Sequence, residues 1–164
     1  MGQYDKVKWR GGYLLTRRQR QALIAAEKAI QERYKNFEFI MIQGSWRPRT
    51  EYSGTSHCGA GVVDLGYAGM SWNTRSDQDK YRFVLRKLRE VGKQAAFGRG
   101  PWNKQIDGTG VMPLHFHTCD IDTTGSYASW QVGEYKKGNN GLYAGVKDKF
   151  RYHPKPIHKW RYKP

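Results

Sequence analysis

The segment 113–121, which reads PLHFHTCDI, decides the fold because a histidine or cysteine occupies every second position from 115 to 119. A strand has a period of two, so this segment places His115, His117 and Cys119 on one face. Two histidines in an apolar strand carry a desolvation cost unless something binds them. The segment therefore predicts either a pair of hydrogen-bonded core histidines or part of a binding site, and by itself it favours neither.

A second segment, 55–64, reads TSHCGAGVVD and contains another histidine and a carboxylate. His57 and Asp64 are seven residues apart. One helix face does not explain that spacing, whereas a glycine-rich loop entering a strand can direct both side chains at one ion. Alone the pair is weak evidence, because such residues are ordinary in loops and strands. Together with an imidazole from 113–121, it predicts a three-ligand zinc site whose fourth position is open to water.

The composition is that of one globular domain with a strong positive charge. The chain has 164 residues, of which 38% are hydrophobic, and its net charge of +15 favours polyanionic partners such as nucleic acid, an anionic membrane face or a cell wall. No apolar run is long enough to span a bilayer, and the polar N-terminus lacks the apolar stretch of a signal peptide. We therefore expect synthesis in a cytoplasm, which favours reduced thiols at Cys58 and Cys119 over one bridge between them.

Two helices are predicted from apolar residues at helical spacing. Thr16 and Gln19 fit a capping box at the start of a helix over 17–34. Ser76 is expected to cap a second helix, and Gly92 is expected to stop it.

Short runs of β-forming residues predict the remaining strands. Beside the strand over 113–121, we expect a buried strand over 37–42 and further strands over 61–65 and 94–97, with a glycine-rich loop over 98–110 and a weak helix over 127–137. The prediction is an α+β fold, in which a small antiparallel sheet carries the zinc site and is flanked by helices. This domain is expected to occupy residues 1–142, and residues 143–164 are expected to form a basic, aromatic tail.

The two histidine segments resemble the zinc peptidases of bacterial cell walls, the group that joins lysostaphin-type endopeptidases, D-alanyl-D-alanine carboxypeptidases and the hedgehog signalling domain. The segment 43–47, QGSWR, looks like the Ser-x-x-Arg stretch of the M15 peptidases in this group. The segments GVVDL at 61–65, PLHFH at 113–117 and GNNGL at 138–142 resemble a peptidase domain of actinobacteria and their phages. The resemblance covers about residues 15–142 and implies a hedgehog-like or DD-peptidase-like fold.

This resemblance implies a role for each site residue. His57, Asp64 and His117 would hold Zn²⁺, His115 would be the general base or transition-state stabiliser, and Arg47 would hold a substrate carboxylate or carbonyl. The implied function is that of a peptidoglycan peptidase, an endolysin or a virion-associated lysin. Such an enzyme uses metal-activated water to cut a peptide bond of the stem peptide or cross-bridge.

The same resemblance implies where the protein acts and with what. Peptidoglycan would be the partner, and the positive charge suits anionic wall polymers as well. An endolysin without a signal peptide stays in the host cytoplasm until a holin-type protein releases it to the wall; a virion-associated lysin acts at entry. A monomer is expected.

One departure from the M15 pattern leaves alternatives open. Many of these enzymes place an acidic residue three positions before the last histidine ligand. Here that position is Met112 if His115 is the ligand, and Leu114 if His117 is. Because neither residue can transfer a proton, the sequence favours acid–base catalysis by His115. It is also compatible with a non-enzymatic, metal-containing wall-binding or structural phage protein. A nucleic-acid binder is a third possibility, which the charge favours and no recognised motif supports.

Overall fold

The computed structural model of the protein describes residues 2–48, 55–100, 113–122, 131–132 and 135. Over these residues the chain forms two α-helices, two antiparallel sheets and one 3-10 turn at Thr55–Cys58. In chain order, the elements are β1 (Lys6–Trp9), β2 (Tyr13–Thr16), α1 (Arg17–Gln31), β3 (Ile40–Gln43), β4 (Val62–Gly66), α2 (Arg75–Glu90), β5 (Gln94–Arg99) and β6 (His115–Asp120). The predicted α+β fold is confirmed.

The larger sheet has four antiparallel strands in the order β3-β4-β6-β5. The register places Asp64 opposite His117 across β4 and β6, and it places Phe97 opposite His117 across β5 and β6. Residues directly opposite in neighbouring strands share a face of the sheet. The central pair β4–β6 therefore brings residues that are far apart in sequence onto one surface.

Both helices pack on one face of this sheet and form the main hydrophobic core with it. Each strand contributes every second residue to this core. Val63, Leu65 and Phe116 are among them, and all three are fully buried. The ring of Phe116 stacks on that of Tyr81 from α2, with 4.2 Å between the centroids. The helix-facing side of the sheet is therefore a closed, apolar layer.

The opposite face of the same sheet has two parts. Val62, Ala95, Phe97 and Cys119 form a small apolar cluster with Val132 and Tyr135, which follow β6 in the chain. Beside this cluster lie the side chains of Asp64 and His117. The second face thus carries a polar site next to an apolar support.

Several element boundaries differ from the sequence prediction. Helix α1 ends at Gln31, three residues before the predicted end, and β5 continues through Gly98 to Arg99. Helix α2 is capped by Thr74 instead of Ser76, because Asp77 at the third helical position completes a capping box with Thr74.

The apolar run over 37–42 is not a fully buried strand. The strand begins at Ile40, and it lies at the edge of the sheet, where Ile40 and Ile42 are 48% and 44% exposed. Its apolar composition did not show which strand would be at the edge. The hairpin formed by β1 and β2 was not predicted at all.

Three further predictions fall wholly or partly outside the described residues. The tail over 143–164 and the loop from 101 onward lie outside them, and of the helix predicted over 127–137 the residues 131, 132 and 135 are described and helical. No helix in the described part of the chain combines the length and apolar character needed to cross a membrane.

Candidate metal centre

The site is built first on the β4–β6 pair. Asp64 and His117 are directly opposite each other in the sheet, and Oδ1 of Asp64 lies 2.8 Å from Nδ1 of His117. Both side chains are buried, with 7% and 6% of their surface exposed. The pair is therefore fixed by backbone register and does not depend on a flexible side-chain geometry.

His57 reaches the same point from the 3-10 turn that precedes β4. The loop is held against the chain after β3 by backbone hydrogen bonds from Trp46 to Gly59 and from Arg47 to His57. The side chain of Ser45 also bonds both backbone groups of Val62, at 2.7 and 3.1 Å. These bonds place Nε2 of His57 3.3 Å from Oδ2 of Asp64.

The three side chains form the one group among the described residues that could hold a metal ion. Ligand atoms of His57, Asp64 and His117 all lie within 4.8 Å of one another, and all three residues are buried. Two ligands at 2.0–2.1 Å from a tetrahedral zinc ion lie roughly 3.3 Å apart. Nε2 of His57 and Oδ2 of Asp64 are 3.3 Å apart, which matches that spacing, whereas Nδ1 of His117 lies 2.8 Å from the other oxygen, Oδ1, at hydrogen-bond distance.

The hydrogen bonds around the histidines decide which nitrogen faces the site. Nδ1 of His57 lies 3.1 Å from the carbonyl oxygen of Gly44, which can only accept, so Nδ1 carries the proton and Nε2 presents a lone pair. Nε2 of His117 lies 3.7 Å from Sγ of Cys119, whose thiol donates to Oε1 of Gln131 at 3.1 Å. Without a metal ion, Nδ1–H of His117 donates to Oδ1 of Asp64 at 2.8 Å; with a metal ion bound at Nδ1, the proton would lie on Nε2, which faces Sγ of Cys119.

A metal ion at this point would take the lone pairs of His57 Nε2 and His117 Nδ1, and the other nitrogen of each ring faces a protein group, Gly44 O or Cys119 Sγ. Ligating histidines in metalloproteins typically donate their other N–H to a protein acceptor in this way. The donor set of the site therefore fits a metal ion.

The pKa values at the site follow from burial and from the same contacts. Burial opposes ionisation of Asp64, but the hydrogen bond with His117 and the close contact with His57 outweigh it and hold the pKa of Asp64 far below its usual range. Burial also dominates at His117 and lowers its pKa, although Asp64 opposes this. At His57 burial is outweighed by the Asp64 carboxylate, which raises the pKa. The site thus holds an ionised carboxylate and, at His117, an imidazole that favours the neutral form that ligation requires.

His115 lies at the rim of this group and is half-buried. Its Nε2 is 3.8 Å from Oδ2 of Asp64, and its Nδ1 is 2.6 Å from the carbonyl oxygen of Pro113. That carbonyl accepts the Nδ1 proton, so Nε2 presents its lone pair toward the site. His115 is therefore next to the three-residue group but not a member of it.

Arg47 is anchored beside His57, but its side chain is exposed. Its backbone N–H donates to the carbonyl oxygen of His57 at 2.9 Å, and its charge opposes protonation of the His57 imidazole. The structure thus places all five predicted site residues in one neighbourhood, with the guanidinium of Arg47 on the solvent side.

Sequence reasoning missed two features of the site. Sγ of Cys119 lies 3.7 Å from Nε2 of His117, and burial raises the pKa of its thiol, so it stays protonated; neither Cys119 nor Cys58 is in a disulfide. Arg99 lies opposite His115 in the β5–β6 register, whereas the sequence assigned it to a loop. The alternation of Ala95, Phe97 and Arg99 is the signal that could have found it.

Comparisons with protein-family models, with curated proteins and with solved structures find no match for this chain. The chemistry of the site itself indicates what it can do. It offers two imidazole nitrogens and a carboxylate oxygen that could hold a metal ion, and it has a third imidazole beside them.

Proposed function

We propose that this protein is a zinc-dependent peptidoglycan peptidase. The observation that carries the proposal is the convergence of His57 Nε2, Asp64 and His117 Nδ1 with the Nε2 lone pair of His115 beside them. A zinc ion bound by three protein ligands lowers the pKa of water and polarises a carbonyl, which is the chemistry that peptide hydrolysis needs.

The ligand chemistry favours zinc over the hard cations. Calcium and magnesium take oxygen ligands, usually several carboxylates or carbonyls. Here two of the three donors are imidazole nitrogens, and a single carboxylate completes the group. Two nitrogens with one carboxylate match the ligand sets of catalytic zinc sites.

His115 is positioned to move the proton in the reaction. Its Nδ1–H is held by the carbonyl of Pro113, so its Nε2 can accept a proton from the attacking water and later deliver it to the leaving amine. The hydrogen bond at Nδ1 restricts rotation of the ring. Arg47, on the solvent side of His57, would hold a carbonyl or carboxylate of the substrate.

The choice of the bacterial wall as substrate is supported by two sequence features. The segments 61–65, 113–117 and 138–142 resemble a peptidase domain of actinobacteria and their phages, and the net charge of +15 suits an anionic wall. Within this proposal the protein is an endolysin or a virion-associated lysin, and the bond it cuts lies in a stem peptide or cross-bridge.

The test is mass spectrometry of the fragments released from defined peptidoglycan. We expect new amino termini with the zinc-loaded protein, and none after chelation or with His117→Ala. His115→Ala should retain zinc and lose turnover. Hydrolysis that survives chelation and the loss of His117 would overturn the metal mechanism.

A second candidate is a metal-containing wall-binding protein without activity. The observation that favours it is Leu114, an apolar residue that packs against the core at the position where many M15 enzymes have an acid. This protein would bind zinc and wall fragments, and neither the wild type nor His115→Ala would release any product.

A further inference from the structure

Gly44 lies between the β1–β2 hairpin and the metal centre. It is buried and directly follows β3. A Cβ atom at this position would lie 2.8 Å from the carbonyl oxygen and 3.0 Å from the amide nitrogen of Leu14, which belongs to β2. Both contacts are with backbone atoms, which cannot rotate away as the end of a side chain can. Since the φ of Gly44 is not positive, this position requires glycine for close approach and not for its conformation.

Strand β2 is firmly anchored in the fold. Leu15, the residue after Leu14, is fully buried in the main core, and Thr16 is the N-cap of helix α1. The amide of Ser45 donates to the carbonyl oxygen of Leu14 at 2.8 Å. Through this bond and the close contact at Gly44, β2 fixes the start of the segment that leads to the His57 loop.

This segment contacts the metal centre on two sides. The carbonyl oxygen of Gly44 accepts the Nδ1 proton of His57 at 3.1 Å, which leaves Nε2 of that ring to face Asp64. The hydroxyl of Ser45 bonds both backbone groups of Val62 at 2.7 and 3.1 Å, two residues before Asp64 in β4. The two residues that β2 holds therefore connect the loop ligand to the strand that carries the carboxylate ligand.

We propose that Gly44 is a positioning residue of the metal centre, because its close contact with β2 holds the carbonyl oxygen that orients the His57 imidazole. This inference rests on the proposed function, since it takes zinc as the ion that the centre binds. Ligating histidines depend on such an outer acceptor, which fixes the tautomer and the orientation of the ring. The acceptor here is a backbone oxygen, so the packing of the chain sets its position and no side-chain rotamer does.

The experiment compares two glycine-to-alanine substitutions that create a similar clash in different places. The new methyl group of Gly44→Ala would lie 2.8 Å from the carbonyl oxygen of Leu14, and that of Gly92→Ala would lie 2.8 Å from the carbonyl oxygen of Leu88, on the helix side of the sheet. Gly92 has no positive φ either. Calorimetric titration gives the zinc affinity of each protein, and urea unfolding gives its stability without metal. Proton NMR of the zinc-loaded proteins measures solvent exchange of the Nδ1 proton of His57.

We expect both variants to lose stability and only Gly44→Ala to lose zinc affinity. Relief of its clash moves the segment away from β2 and displaces the oxygen that orients His57. The zinc affinity should then fall about 10–100-fold, the usual effect of losing an outer partner of a ligand. The Nδ1 proton of His57 should exchange faster in Gly44→Ala than in the wild type, and at the wild-type rate in Gly92→Ala.

Ser45→Ala provides a test that does not depend on how well Gly44→Ala folds. It keeps the glycine against Leu14 and removes the hydroxyl that bonds Val62. The Nδ1 proton of His57 should remain as protected as in the wild type. Loss of that protection would mean that the hydroxyl, and not the contact between the glycine and β2, holds the acceptor.

Two further results would overturn the positioning role. One is a Gly44→Ala protein with the zinc affinity of the wild type. The other is an equal loss of zinc affinity in Gly92→Ala, which would mean that destabilisation alone weakens binding. The proposed function is judged separately, by the release of wall fragments. A wild type that binds zinc and releases none would overturn the peptidase and leave the positioning role intact, whereas fragment release with an unaffected Gly44→Ala would do the reverse.

Discussion

The two faces of the four-stranded sheet are made by the same strands, yet one face forms the apolar core and the other carries the candidate metal site. On the helix side, Val63, Leu65 and Phe116 are fully buried in an apolar core. One residue away along the same strands, Asp64 and His117 are almost as deeply buried on the other side. The degree of burial therefore does not distinguish the core from the site. What distinguishes them is the face of the sheet to which a residue points, and this alternates from one residue to the next along the strand.

Burial has opposite consequences on the two faces. On the apolar face it stabilises the fold roughly in proportion to the area removed from water. On the polar face it is unfavourable unless each buried group has a partner. The histidine and carboxylate side chains meet this requirement through Gly44, Cys119 and one another, and a metal ion would meet the remainder. The comparison predicts that mutations of neighbouring residues should separate stability from metal binding.

The strongest test compares Phe116→Ala with His117→Ala, two adjacent residues of β6. Phe116→Ala should reduce the free energy of unfolding by about 3–5 kcal/mol, the usual cost of deleting a buried phenylalanine, while the folded fraction still binds zinc. His117→Ala should abolish zinc binding, because it removes one of three ligands, and should cost less stability in the metal-free protein. Urea unfolding and calorimetric zinc titration measure the two quantities. Equal loss of both in both variants would contradict a division between the faces.

The assignment of residues to the two faces was predictable from the sequence, because side chains alternate between the faces along a single strand. The alternation in 113–121 predicts His115, His117 and Cys119 on one face, and the structure places all three there. What the alternation does not give is the register with other strands. Pairing between distant segments decides which residues become neighbours. It places Asp64 opposite His117 and Arg99 opposite His115.

Other failures of prediction have equally local causes. The run over 37–42 looked fully buried because apolar composition does not report whether a strand has a neighbour on both sides; β3 has one. Ser76 and Thr74 are both good capping residues, and the choice between them depends on the side chain of Asp77. The turn of the β1–β2 hairpin contains Arg10 with a positive φ of 38°. That conformation is uncommon outside glycine, but Gly11 and Gly12 in the same turn also have positive φ, and this glycine pair is the signal that could have found the hairpin.

Zinc itself should sharpen the comparison, because it acts on one face alone. A ligand at one hundred times its dissociation constant stabilises a folded protein by about 2.7 kcal/mol. We expect added zinc to raise the unfolding free energy of the wild type and of Phe116→Ala by a similar amount, and to leave His117→Ala unchanged. Thermal or urea unfolding with and without zinc gives the result. Stabilisation of His117→Ala by zinc would place the metal elsewhere.

A smaller effect is expected from Cys119, which supports His117 without belonging to the three-residue group. Cys119→Ala would remove the sulfur that faces Nε2 of His117, the nitrogen that would carry the proton when Nδ1 binds the metal, and loss of such an outer partner typically weakens metal binding about 10–100-fold. Cys119→Ser should restore most of the affinity. Val62→Ala is the matched control, since Val62 belongs to the same apolar cluster and has no bond to a ligand. Equal weakening in Val62→Ala would mean that packing, and not the hydrogen bond, supports the histidine.

The smallest expected effect concerns the helix side and depends on pH. The hydrogen bond with Thr74 is the main cause of the lowered pKa of Asp77 in the α2 capping box. A carboxyl whose pKa is lower in the folded state stabilises the fold above its unfolded pKa, and this contribution is lost as the pH falls through the folded value. Asp77→Asn should therefore destabilise the protein slightly at neutral pH, and the difference from wild type should shrink in acid. Urea unfolding at several pH values measures this difference, and zinc affinity at neutral pH should be the same in both proteins, because the cap lies on the helices and not on the metal face. A difference in stability that stays constant with pH would mean that the Asp77 charge does not act through the cap.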